Sequence, residues 1–133
     1  MGYRSDVAIT VDKRTYNAIR LLKPQKLPKD PGVEPEEKGD HYLWFFESVK
    51  WYGGYPDVDT YVQFLDYLVE DPDQIVATVR ESHVQEAKQN DLGMPYLREP
   101  YGFTRIGEDD EDYEERGDPY EYGVNYHRAI TFD

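Results

Sequence analysis

The sequence predicts an α+β domain over residues 1–133: a four-stranded, mainly antiparallel sheet with helices packed on one face. Three observations carry this. Apolar runs of strand length lie near the start, in the middle and at the end of the chain. Between them, apolar residues recur at helical spacing. And 15% of the residues are aromatic, which gives a core its bulk even in a chain of net charge −13 and sets it apart from a disordered acidic polymer. The length is that of one domain and suffices for a core without disulfide or metal staples. The predicted order is β-α-β-α-α-β-β, with no internal repeat.

The elements follow in chain order. Asp6 to Val11 is an apolar run bounded by polar residues, hence a strand. Asp12 stands where a helix N-cap belongs, and Tyr16, Ile19 and Leu22 or Leu21 give Lys13 to Leu22 a helical face. Residues 23–40 form a proline-rich loop, with Pro24, Pro28, Pro31 and Pro35 arguing against any regular element. His41 to Tyr52 carries large residues on both faces and reads as a strand central in the sheet. Gly53, Gly54 and Pro56 end it. Asp57 is the next N-cap candidate, and Val58, Tyr61, Val62, Leu65, Leu68 and Val69 trace one helix face. Asp71-Pro72 stops that helix, and Asp73 starts another with Ile75, Val76 and Val79 inward, continued by His83 or Ala87. After a turn-rich connection from Gly93 to Pro100, Tyr101 to Gly107 reads as a strand. Residues 108–121 form an acidic loop. Tyr122 to Phe132 then alternates with period two, as one strand antiparallel to its predecessor.

Composition excludes several classes of function. Without cysteine there is no disulfide, zinc–thiolate site or cysteine nucleophile, and the absence fits a cytoplasmic protein. No apolar run approaches the roughly 18 residues of a membrane span, so no membrane partner is expected. The N-terminus lacks a signal-peptide core, and Asp6 stands where a myristoylation motif needs Ser or Thr. A charge of −13 repels phosphates and argues against direct nucleic-acid binding, while it favours a partner with a basic surface.

The acidity is concentrated. Between Glu108 and Glu121 there are nine acids and one base, and between Asp57 and Asp73 six acids and no base. Asp59, Asp66, Glu70 and Asp73 are spaced to fall on one stripe opposite the apolar helix face. Carboxylates rising by about 6 Å per four residues suit a groove built for a phosphate backbone. A solvated helix face and a solvated acidic hairpin are the plainer accounts of the same residues. The expected partner-binding surface is Asp59, Asp66, Glu70 and Asp73, with Glu108, Asp109, Asp110, Glu111, Asp112, Glu114 and Glu115 of the loop and its tyrosines Tyr113 and Tyr120. Tyr96, Tyr101 and Tyr122 also lie near loops or strand ends, where exposed tyrosine often anchors a partner. A counter-pattern runs from Lys13 to Lys29, which is basic throughout. Its plainer role is to neutralise the acidic loop, within one chain or across a homodimer; contact with nucleic acid or an acidic partner is the other.

No catalytic motif is present, no cofactor site is legible, and the expectation is a protein that is not an enzyme. His41, His83 and His127 share no metal-ligand spacing. The run Asp110-x-Asp112-x-Glu114 resembles a calcium loop, but Glu115 replaces the glycine that the turn needs. The remote alternative is a metal-dependent enzyme built from Asp109, Asp110, Asp112 and His127.

Several phrases are familiar together: Met1-Gly2-Tyr3-Arg4-Ser5-Asp6-Val7, Ser48-Val49-Lys50-Trp51-Tyr52 followed by Pro56, Tyr101-Gly102-Phe103 with Arg105-Ile106-Gly107-Glu108-Asp109-Asp110, then Gly117-Asp118-Pro119-Tyr120 and Arg128-Ala129-Ile130. They resemble a group of small acidic proteins of tailed bacteriophages, mostly of unassigned function. The likeness covers the N-terminus, the central strand and helix, and the C-terminal hairpin; it covers neither the proline-rich loop nor the stretch from about Asp73 to Pro100. It supplies no catalytic residue. It implies an accessory protein of the host cytoplasm that disables a host defence or nucleic-acid-processing protein, in the manner of anti-restriction or anti-CRISPR inhibitors. The acids would then imitate DNA in a basic cleft. In the alternative, an accessory module binds its partner through tyrosines and shape, and the acids serve solubility.

Overall fold

A computed structural model describes residues 4–30, 32–52, 54–90, 98–108, 112–126 and 129–132. Its sheet is organised around β1 (Ser5–Asp12), which continues directly into α1 (Lys13–Leu22). The remaining elements are β2 (Glu36–Lys38), β3 (His41–Val49), α2 (Pro56–Glu70), α3 (Ile75–Gln89), β4 (Tyr101–Ile106), β5 (Tyr113–Gly117), β6 (Val124–Tyr126) and β7 (Ile130–Phe132). Short 3-10 turns lie at Pro24–Lys26 and Pro119–Tyr122. The sheet order is β2-β3-β1-β4-β5, antiparallel throughout, and β6 pairs with β7 in a separate hairpin.

Strand alternation divides the core. Val7, Ile9 and Val11 of β1 point with Trp44 and Phe103 toward the helices, where Tyr61, Phe64, Leu65 and Leu68 of α2 and Tyr16 and Ile19 of α1 meet them. Trp44 is the hub, edge-on to Tyr16 (5.8 Å), Tyr61 (5.7 Å) and Phe64 (6.1 Å). On the other face Ala8 and Leu43 pack with Val124, and Phe45 meets Phe132 at 5.2 Å. Each fully buried aliphatic or aromatic side chain contributes about 1.5–3 kcal/mol, so the helix-side cluster dominates the stability.

The class is the one the sequence predicts, α+β with three helices on one face. Several details differ. β1, paired on both sides, is the central strand; β3 has only the three-residue β2 beyond it. The proline-rich loop is not devoid of structure, because β2 forms where Gly39, at φ +55°, turns the chain back into β3. In α2 the buried face is shifted: Phe64 and Tyr67 are inside and Val69 is exposed, as are Leu21 and Leu22 at the end of α1. No side chain caps α2, whose N-cap is Tyr55 with proline at the first helical position. Asp73 does not start α3. Asp71, itself in the left-handed region at φ +46°, accepts from the amides of Val76 and Ala77 at 3.0 Å each, while Asp73 accepts from Tyr67 Oη at 2.6 Å. His83 is exposed and Ala87 continues the inner face of α3. The acidic loop contains β5, which takes the place expected of the C-terminal strand beside β4.

Arg98 ties the end of the sheet together. It donates to Asp40 at 2.7 Å, to Asp12 at 3.3 Å and to the Glu121 carbonyl at 2.9 Å, with its guanidinium 4.1 Å from the Tyr122 ring centre. Asp12 also accepts from the Thr15 amide, the N-cap bond expected for α1. Burial pushes the Asp40 carboxyl up, but hydrogen bonds from His41 and Arg98 outweigh it and hold it below its ordinary value.

Two outcomes follow. Gly117 sits at φ +68°, and a Cβ there would lie 2.3 Å from the Tyr101 carbonyl oxygen. Gly117→Ala should therefore lower the unfolding free energy in urea by about 3 kcal/mol or more, combining left-handed strain with overpacking. Gly39→Ala, with nothing within 4 Å of its Cβ, should cost only about 1–2 kcal/mol. The second concerns acid. A carboxylate depressed in the folded state stabilises it above its unfolded pKa, and that contribution is lost as pH falls through the folded value. Asp40→Asn should thus flatten the fall in stability below about pH 4, followed by urea unfolding at stepped pH.

Candidate functional site

The acid-rich segments come together along the edge of the sheet that β5 closes. The register aligns Ile9, Phe103 and Arg116 across three strands. Ile9 and Phe103 face the helices, so Arg116 does too, and Glu114 with it; Tyr113 and Glu115 alternate to the opposite face. From there Arg116 donates to Asp66 of α2 at 2.9 Å. Glu114 accepts from Arg105 Nε at 3.0 Å, and Asp112 takes the other end of the same guanidinium at 2.8 and 3.2 Å. Arg105 also donates to Ser5 Oγ at 3.1 Å. Asp66–Arg116 therefore fastens α2 to β5, and Arg105 with Glu114 and Asp112 ties the β4–β5 hairpin, two clasps in one ladder of alternating charge. The hydrogen bond to Asp112 leads the causes that hold the Arg105 guanidinium charged above its ordinary pKa.

The expected surface is thus partly assembled and partly redirected. Asp59, Asp66 and Glu70 are on α2, as expected. Asp59, however, accepts from the Gly54 amide at 3.0 Å and holds the turn before the helix. Asp73 is not part of the stripe: it points back to Tyr67 and lies 3.8 Å from Lys23. Burial first, and then the hydrogen bond to Asp73, raise the Tyr67 hydroxyl well above its ordinary pKa. Glu108 accepts from the Arg4 amide at 2.9 Å. Tyr113 and Tyr120 are 55% and 58% exposed, whereas Tyr101 and Tyr122 are buried and belong to the core. Asp109, Asp110 and Glu111, together with Tyr96 and His127, lie outside the described residues. With Asp112 held by Arg105, the proposed metal-ligand set has one described member, and that one is engaged. Among the described residues no cluster of three or more histidine, aspartate or glutamate side chains is placed to hold a metal ion, and no helix is long and apolar enough to cross a membrane.

Among the described residues, cations of the basic segment pair with acids outside the acidic loop. Lys13 pairs with Glu37, Arg14 with Glu86 at 2.8 Å and Lys23 with Asp73, while Lys26 stands over the Tyr67 ring at 5.3 Å. The cations of the acidic edge are instead Arg105 and Arg116. Arg116 was visible in the sequence as the one base in its run; the role of Arg105 depends on strand register, which the sequence leaves open.

Comparisons with protein-family models, with curated proteins and with solved structures find no match for this chain.

The two arginines should differ in weight. The Arg105 side chain is 12% exposed and satisfies two carboxylates and a hydroxyl, so Arg105→Ala should cost about 2–3 kcal/mol. Arg116 and Asp66 are 34% and 51% exposed, and their coupling in a double-mutant cycle should be about 1 kcal/mol or less. Equal costs for the two arginines in chemical denaturation would contradict the ladder.

Proposed function

We propose that the chain acts by binding another macromolecule, setting the edge formed by α2 and β5 against a basic surface. The observation that carries this is the Asp66–Arg116 contact, which joins two acid-rich segments far apart in sequence into one edge. Across residues 57–73 and 112–116 there are nine carboxylates, and Arg105 and Arg116 are the arginines that engage them. Local pairing redirects individual acids but leaves the sum strongly negative, and a field of that sign accelerates encounter with a positive cleft.

The nominated partner is a host defence or nucleic-acid-processing protein, and the chain a phage-encoded inhibitor working in the host cytoplasm. Support for this comes from the resemblance of short phrases to small acidic phage proteins and from the charge, which suits competition with nucleic acid for a basic cleft. The chain performs no chemistry in this reading and needs no cofactor. A second reading, docking through tyrosines and shape, draws on the exposure of Tyr113 and Tyr120 at over half of each side chain.

Immobilised protein should be exposed to bacterial lysate at about 0.1 M salt and eluted at about 1 M, a change that shortens the Debye length from about 10 to about 3 Å. The expected result is a nucleic-acid enzyme that elutes with salt, is displaced by DNA, and is not retained by a Glu70→Lys variant. Asp66 is left intact because its loss would disturb the ladder. Retention of the same partner by the variant at both salt concentrations would transfer the reading to Tyr113 and Tyr120.

A further inference from the structure

We propose that the cleft between α1 and α3 binds a small organic anion, a phosphate monoester or carboxylate carried on a compact apolar group. The cleft has a volume of about 620 Å³, within the span of roughly 300–1,000 Å³ typical of small-molecule sites. Its lining is of two kinds. Val76 and Pro100, both buried, and the half-buried Val79 supply an apolar floor. Arg14 of α1 and Arg80 and His83 of α3 supply cationic or donor groups at the rim. Arg80 and His83 are three residues apart and so project from one helix face, toward the side where Arg14 stands on the neighbouring helix.

Four acids line the cleft too, Asp12, Asp40, Glu99 and Glu121, and their engagement decides its character. Asp12 caps α1 and binds Arg98; Asp40 binds Arg98 and His41. Both are used in holding the end of the sheet. The donors at the rim are held far less firmly. Arg80 reaches the Arg98 carbonyl only at 3.4 Å and Glu99 at 4.0 Å. Arg14 pairs with Glu86, but both side chains are about half exposed, so a competing anion displaces that contact at small cost. An incoming carboxylate or phosphate therefore competes with Glu99 for Arg80 and with Glu86 for Arg14, exposed contacts that cost little to displace, while Asp12 and Asp40 share the charge of Arg98. In a chain of net charge −13 this is the place where loosely held arginines from two elements share one concavity. An apolar group on the ligand adds burial against Val76 and Val79, which an inorganic anion cannot gain.

The test is a ¹⁵N-resolved NMR titration of the full chain with phenyl phosphate, benzoate and inorganic phosphate. Saturable shifts centred on Arg14, Val76, Val79, Arg80 and His83 are expected with phenyl phosphate or benzoate, and the tighter of the two identifies the anion. Inorganic phosphate should bind at least about tenfold more weakly, and Arg80→Gln should weaken phenyl phosphate by about tenfold. Arg14→Gln serves as a second variant, and thermal melts of both should match the parent. The proposal is overturned if neither organic anion gives saturable shifts there, if inorganic phosphate binds as tightly, or if both folded variants bind unchanged.

Discussion

The structure depends on β1 being hydrogen-bonded on both sides and covered on both faces. A strand in that position leaves nothing of itself for water: Val7, Ile9 and Val11 need a layer on one side, and Ala8 and Thr10 need one on the other. Three helices supply the first. The second is thinner, built from the β6–β7 hairpin and the turn at Pro119, which approaches so closely that a Cβ on Gly102 would stand 2.6 Å from Pro119 Cα. Small residues along β1 and β4 on this face are what allow a mere hairpin to close it.

That constraint also explains which elements were legible. β1, α1 and the existence of α2 and α3 declare themselves because each buries one continuous pattern. β5 does not, since Tyr-Glu-Glu-Arg-Gly is an outer strand whose hydrogen bonds to β4, not its apolar content, define it. β2, Glu-Glu-Lys, is the same case at the opposite edge. The C-terminal segment misleads for a different reason. Val124 stands opposite Phe132, and Ile130 shares their parity, so a hairpin prints the period-two signature of a single strand. In α2, Val69 and Phe64 both fit an apolar arc about the helix, and only the position of the sheet selects Phe64.

The candidate edge was legible as composition and illegible as arrangement. Asp59, Asp66 and Glu70 share a helix face by spacing alone. Which carboxylate meets which arginine depends on register between strands that the sequence does not align, so Arg105 could not be recognised as the residue holding Asp112 and Glu114. Asp71 and Asp73 show the same limit on a smaller scale: both precede α3, and it is the Asp71 carboxylate that reaches the amides of Val76 and Ala77.

A chain with 28 acids and 15 lysines and arginines can also be viewed from its scarcer charge. Among the described residues, five of its cations connect elements distant in sequence: Lys13 to Glu37, Arg14 to Glu86, Lys23 to Asp73, Arg98 to Asp12 and Asp40, Arg116 to Asp66. Exposed pairs of this kind add little individually, but each places a positive charge where self-repulsion among acids would otherwise pry neighbouring elements apart. An excess of acid is left over, and part of it lies where α2 meets β5. In the function proposed above, binding a basic partner and holding the structure together draw on the same residue type but on different members of it. Selection on the outward acids can therefore proceed without disturbing those that Arg98, Arg105 and Arg116 hold.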